Sequence, residues 1–156
     1  MNIKNKTVIV GVGGAGVNMM QYLQSNARLD CCVSAYHNDL LYQAISDNYT
    51  VVLVAGLGGI YGSEHIVKIA AQAIKQKKEV YAVVTMPAVV EGKLRAETAQ
   101  QALKKLHAIV TIKNIKIIEI GKFIKVSNLS FEEVQDFSYS GMFAKVNEQV
   151  LDYIIS

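Results

Sequence analysis

The chain has 156 residues, 51% apolar and 19% charged, with a formal net charge of +3. That is enough for one domain, 1–156, with a core of its own. The lysines are scattered without a block of like charge, so neither nucleic acid nor an anionic membrane surface is an expected partner. No apolar run reaches the roughly 18 residues of a spanning helix, which argues against direct membrane insertion.

Thr7 to Val10 are all β-branched and predict a buried strand, reached directly from MNIKNK with no leader pattern. Gly11, Gly13, Gly14 and Gly16 follow. A helix is then expected from Gly16 to about Gln24, carried by Val17, Met19, Met20 and Leu23. Strand, glycine turn and helix start bring backbone N–H groups and a positive helix end together, where an anion can sit. The same order without a ligand is a connecting turn.

Cys32 to Tyr36 predict the second strand. Cys31 and Cys32 are neighbours, and bridging neighbours distorts the peptide, so reduced thiols and a cytoplasmic location are expected. No Cys/His spacing suits a metal. His37-Asn38-Asp39 end the strand, either as a helix cap or as ligand groups, and Leu40, Leu41, Ala44 and Ile45 predict a short helix.

Thr50 to Ala55 predict the third strand, ending in Gly56-Leu57-Gly58-Gly59 with Gly62 behind. Ile66, Ile69, Ala70, Ala73 and Ile74 keep helical spacing, and Lys75, Lys77 and Lys78 close that helix. This second strand–glycine–helix unit repeats the first. On adjacent strands, two such loops would bracket a polyphosphate.

Val80 to Thr85 predict the fourth strand, broken by Met86-Pro87, and Glu91 to Leu106 the next helix. Glu91 and Arg95 stand one turn apart, as a surface ion pair or as groups reaching over a ligand. Ala108 to Ile112 read as the fifth strand, and Ile115–Ile120 with Lys122–Val126 as an edge hairpin around Gly121. Ser130-Phe131-Glu132-Glu133 fit a capping box opening a final helix over 130–155. Met142, Phe143, Val146, Val150 and Ile154 share one face of that helix, and Ser140-Gly141 is a point for it to kink or split. Strands alternating with helices predict an α/β fold, a Rossmann-like three-layer parallel sheet with helices on both faces.

Several motifs match one family in order. Gly11-Val-Gly-Gly-Ala-Gly16 with Asn18, His37-Asn38-Asp39 with Gln43-Ala44, Ala55-Gly-Leu-Gly-Gly59, Val83-Val-Thr-Met-Pro87 with Glu91-Gly-Lys-Leu-Arg95, and Phe143 with Asn147 resemble the nucleotide-binding half of FtsZ, the bacterial relative of tubulin. Asn114 falls where that family has a loop asparagine. The resemblance covers about Lys4 to Ile155, and the final helix resembles the family's central helix. It implies a GTPase-type domain and GTP or GDP as ligand. Gly13, Gly14, Ala15, Gly16 and Asn18 would hold phosphate, with Gly58, Gly59, Gly62 and Ser63 on its other side. Asp39 would join them, Glu91 and Arg95 would reach ribose and phosphate, and Asn147 would face the base. No catalytic residue and no metal ligand carries over.

Departures from the family pattern shape the functional expectation. The family's GGGTGTG run is here Gly58-Gly59-Ile60-Tyr61-Gly62-Ser63-Glu64. Branched Ile60 disfavours a positive φ, and Tyr61 adds bulk. A Glu64 carboxylate about 4 Å from a phosphate would repel it by about 4 kcal/mol at an effective dielectric near 20. Asn147 stands where the family has a charged acceptor. The stretch between Asp39 and Thr50 is short for the family, and no counterpart of its second domain, with the acidic loop that activates water, is read in the sequence. The expectation is a catalytically weak or inactive FtsZ-like module. It would regulate a cytoskeletal filament or assemble with itself, meeting an FtsZ-like subunit or a second copy through its nucleotide face or the apolar face of its final helix. One alternative is a guanine-nucleotide switch with slow or partner-dependent GTP hydrolysis. The other is an NAD(P)-binding oxidoreductase module, with Asp39 about 23 residues after Gly16 as the ribose acid.

Overall fold

The uniformly apolar runs of the sequence stack as one five-stranded parallel sheet, in the order β2-β1-β3-β4-β5. A computed structural model describes residues 6–27, 31–36, 38–123 and 139–156, with the backbone alone at 139–142. The strands are β1 (Thr7–Val12), β2 (Cys32–Ser34), β3 (Thr50–Gly56), β4 (Glu79–Met86) and β5 (Ile115–Glu119). The helices are α1 (Gly13–Ala27), α2 (Asn38–Asp47), α3 (Ile60–Lys75), α4 (Lys93–His107) and α5 (Tyr139–Ile155). Short 3-10 turns occupy Val89–Glu91, Ile112–Asn114 and Ile120–Phe123.

Helices cover both faces, which is why the central strands show no polar alternation. Val8, Val10, Val12, Val51, Leu53, Ala55, Ala82 and Val84 pack under α2, α3 and α4. Ile9, Val52, Val54, Val83 and Ile118 pack under α1 and α5. The three-layer α/β expectation therefore holds.

Three local expectations change. Ala108 to Ile112 are not a strand. The N–H groups of Ala108, Ile109 and Val110 donate back to Lys104 and Leu106, so this run winds off the end of α4 and buries Val110. The fifth strand is Ile115–Glu119, parallel to β4 from Ala82 opposite Ile115 to Met86 opposite Glu119. The expected hairpin around Gly121 is replaced by the 3-10 turn Ile120–Phe123, and 124–126 lie outside the described residues, as does the capping box at 130–133. Helix α1 opens at Gly13, earlier than the expected Gly16.

The apolar face of the final helix proves to be core. Val146, Val150 and Ile154 are fully buried against Ile9, Met19, Met20, Leu23, Val83 and Ile118, and Phe143 packs beside them. That face is not available for the partner contact proposed from sequence. The Met142 side chain lies outside the described residues, and α5 runs unbroken through Ser140-Gly141.

Replacing Ile154 with Ala is expected to cost about 2–5 kcal/mol, read from urea denaturation. Lys77, at φ 60°, closes α3 in the left-handed region while its N–H and that of Lys78 reach back to Ile74 and Ala73. Lys77→Gly relieves that conformation and should stabilise by about 1 kcal/mol in the same measurement. Burial, and then the neighbouring Cys31, push the Cys32 thiol up to about 11. At pH 8 the folded protein should alkylate at Cys32 about 100-fold more slowly than the unfolded chain, followed by mass spectrometry.

Candidate functional site

β1 and β3 are neighbours, paired from Thr7 opposite Thr50 to Val12 opposite Ala55, so both glycine loops leave the sheet side by side at its carboxyl rim. Gly13 adopts φ +73°, which turns the chain from β1 straight into α1. A Cβ on Gly13 would stand 3.1 Å from the Gly62 Cα. The two loops are thus in backbone contact. A Cβ on Gly16 would stand 2.3 Å from the Val54 carbonyl oxygen, so α1 lies directly on β3. Gly14 and Gly59 differ: a Cβ at either would meet nothing within 4 Å.

The opening N–H groups of a helix have no partner within it. In α3 the Ser63 N–H donates to the Gly59 carbonyl at 3.2 Å, so Ile60, Tyr61 and Gly62 hold the opening positions. In α1 they begin at Gly13 and Gly14. Two positive helix ends therefore converge on one rim, where β1 and β3 lead their connections away to opposite faces.

No model of a known protein family matches the sequence. Cell division protein FtsZ 1 of Methanocaldococcus jannaschii is 37% identical over 81 residues, 49% of this chain and 22% of that protein. An empty FtsZ dimer from M. jannaschii superposes with a TM-score of 0.73 at 21% identity, covering 96% of this chain and 53% of that one. GDP-bound monomeric CetZ1 from Haloferax volcanii also gives 0.73, at 15% identity, over 94% and 58%. The chain has the fold of an FtsZ/tubulin nucleotide-binding domain. It spans about half the length of these solved relatives. The comparisons give the oxidoreductase alternative no support.

Along the rim of this FtsZ-like sheet the expected residues fall in strand order. Asp39 is exposed in the first turn of α2, after β2. Gly13, Gly14, Ala15 and Gly16 open α1, and Asn18 is exposed one turn on. Gly58, at φ +110°, packs against Pro87 and Arg95, which joins the β3 loop to the β4 loop. Ser63 is buried, and its hydroxyl accepts the Gly58 N–H at 2.9 Å, so it closes its own loop. Glu91 accepts the Ala88 N–H at 2.6 Å through Oε2, and its Oε1 lies 3.4 Å from the Arg95 Nε. Of the two readings of that pair, the ion pair is the one present.

Asn147 lies in α5, on the α1 side of the sheet, and its Oδ1 is buried without a hydrogen-bond partner. Asn114 lies at the opposite rim, where its side-chain amide donates to the Val80 carbonyl at 3.2 Å.

The three expected obstacles differ in where their side chains go. Ile60 is an ordinary opening residue of α3, 82% exposed. Glu64 pairs with Lys68 at 3.0 Å, which holds its carboxyl below the usual range, and lines a cleft of about 390 Å³ between α3 and α4 with Thr98 and Lys105. Tyr61 does stay at the rim, stacked between Tyr36 and His65. Sequence reading missed Tyr36 and His65; the one-turn spacing of Tyr61 and His65 was the available signal.

The residues fit a nucleotide: open glycines beside two helix starts for phosphate, and an unpaired carboxamide oxygen on α5 as an acceptor. Among the described residues no cluster of three His, Cys, Asp or Glu side chains is placed to hold a metal ion. Gly16→Ala is expected to lower stability by about 1–3 kcal/mol, because Val54 backbone cannot move aside, while Gly14→Ala leaves it unchanged or slightly higher. Thermal melts of the two variants check this.

Proposed function

We propose that this chain binds a guanine nucleotide at the carboxyl rim and acts as an FtsZ-like module of a cytoskeletal filament, with little or no hydrolysis of its own. The observation that carries the reading is the backbone contact of two glycine-opened helix starts on adjacent strands. One phosphate group placed there meets N–H donors from both loops. Support for GDP or GTP comes from the CetZ1 relative, solved with GDP. Gly14, Gly59 and the α1 and α3 amides would hold phosphate. Asn147 would offer its unpaired Oδ1 to a base N–H.

The engagement of two carboxylates near the rim supports weak catalysis. Glu64 is turned to Lys68, and Glu91 is held by Ala88 and Arg95. A group that accepts a proton from water must be within hydrogen-bond reach of it, and these two are engaged elsewhere.

The filament contact is assigned to the same rim. Ile60, at the start of α3, Val89, just after β4, and Leu94, at the start of α4, are 82%, 94% and 77% exposed on that side, apolar surface that a partner could cover. The partner is another FtsZ-like subunit, of this chain or a longer relative.

Titration calorimetry with GDP and GTP is expected to show one site, with release of phosphate from GTP near background. Absence of binding at millimolar nucleotide would remove the reading. Asn147→Ala should weaken GDP by about 5- to 10-fold and leave inorganic pyrophosphate unaffected. Equimolar addition to a polymerising FtsZ should change its light scattering, and Leu94→Asp should abolish that effect without altering GDP affinity.

A further inference from the structure

An aromatic row crosses the rim at the site just described. The Tyr61 ring stacks on His65, one turn along α3, with centroids 3.8 Å apart and planes at 13°. Its other neighbour is Tyr36, at 4.8 Å and 30°. Tyr36 follows β2 and Tyr61 follows β3, while β1 lies between those strands in the sheet. The Tyr36–Tyr61 pair therefore spans the end of β1, where Gly13 opens α1. The edge of the Tyr61 ring, Cδ1, is 4.0 Å from where a Gly13 Cβ would stand. His65 is itself fixed, because its Nδ1 lies 2.9 Å from the Tyr61 carbonyl oxygen, an acceptor, and so carries the proton.

We propose that Tyr61 is a gate on the phosphate cradle, held shut by its stacks on Tyr36 and His65 and swung outward when a phosphate group enters. The proposal rests on the nucleotide reading and adds a regulatory step to it. A phosphate touching both helix starts must approach Gly13 and Gly62, and the phenol ring occupies the approach on the Tyr36 side. The ring is free to leave. Tyr36 is 52% exposed, so the stack faces water on one side, and no hydrogen bond of the Tyr61 side chain opposes a rotation about χ1 among the contacts described. Stacking at these separations is favourable but small, which suits a latch that a ligand can open. The apparent affinity is then the intrinsic affinity reduced by the fraction of molecules with the gate open.

The test compares wild type with Tyr61→Ala, Tyr36→Ala, the double variant and Tyr61→Phe. GDP and inorganic pyrophosphate are titrated by calorimetry, and each fold is checked by circular dichroism. Tyr61→Ala is expected to bind both probes about ten-fold tighter, the scale of one or two lost aromatic pairs. Tyr36→Ala should shift affinity the same way by less, and the double variant should bind no tighter than Tyr61→Ala, because both act through one ring. Tyr61→Phe keeps the stack and should match wild type. In wild type, saturating pyrophosphate should also move the His65 imidazole proton resonances, which sit against the Tyr61 ring. Equal affinity of wild type and Tyr61→Ala overturns the gate and leaves the nucleotide reading standing. Silence of both toward GDP and pyrophosphate overturns the two together. Should Tyr61→Ala not fold, Tyr36→Ala, at the exposed end of the row, carries the same comparison.

Discussion

The rim depends on the distance at which backbones meet. Helix α1 rests on β3 with no side chain between them at Gly16, and the first turn of α3 touches the first residue of α1 at Gly62 and Gly13. These contacts set where both helix starts lie, and so where their unpaired N–H groups lie. The glycines of the two loops then divide into two kinds. Gly11, Gly16 and Gly62 are demanded by packing, since a Cβ on any of them would stand about 3 Å or less from backbone atoms. Gly14 and Gly59 have no such reason, because open space surrounds both. Gly14 sits in the first turn of α1, where glycine costs roughly 1 kcal/mol relative to Ala, whereas Gly59 is the extended N-cap of α3. A glycine at Gly14 leaves the backbone of that first turn open to a group approaching from outside.

The strand–glycine–helix units were legible because two signals coincide in them. Continuous β-branched runs mark strands buried on both faces, and the glycines that follow mark the only places where a helix can lie so near the sheet. The end of α4 was not legible for the opposite reason. Ala108 to Ile112 are apolar to cover the base of that helix, and a short apolar run carries no period to separate a winding turn from a strand. The true edge strand, Ile115–Glu119, is half exposed and contains Lys116, so it reads less like a strand than the turn before it. Position in the sheet decides that assignment, and position is not written locally.

The altered signature loop shows where residue type misleads without direction. Ile60, Tyr61 and Glu64 each look like an obstacle when placed in a line. On a helix, successive side chains turn by about 100°, so Ile60 and Glu64, four residues apart, share one face of α3, while Tyr61 stands about 100° round from Ile60. Glu64 turns to Lys68 and to the α3–α4 cleft that the exposed Ile60 also lines, and Tyr61 to the row formed with Tyr36. Tyr61 remains, and its neighbours come from two other segments of the chain, Tyr36 after β2 and Gly13 after β1.

The burial of α5 changes where a partner can bind. With Val146, Val150 and Ile154 committed to the core, the exposed apolar side chains at the carboxyl rim include Ile60, Val89 and Leu94. Gly58 ties that surface to the cradle, because its left-handed turn seats against Pro87 and Arg95 just beyond the exposed Leu94. A subunit docked on the rim and a nucleotide seated beneath it would therefore press on the same loop. Linkage then requires each to alter the other's affinity by an equal factor. Under that proposal a ligand at the loop would be felt by the partner without any bond in the nucleotide having to break.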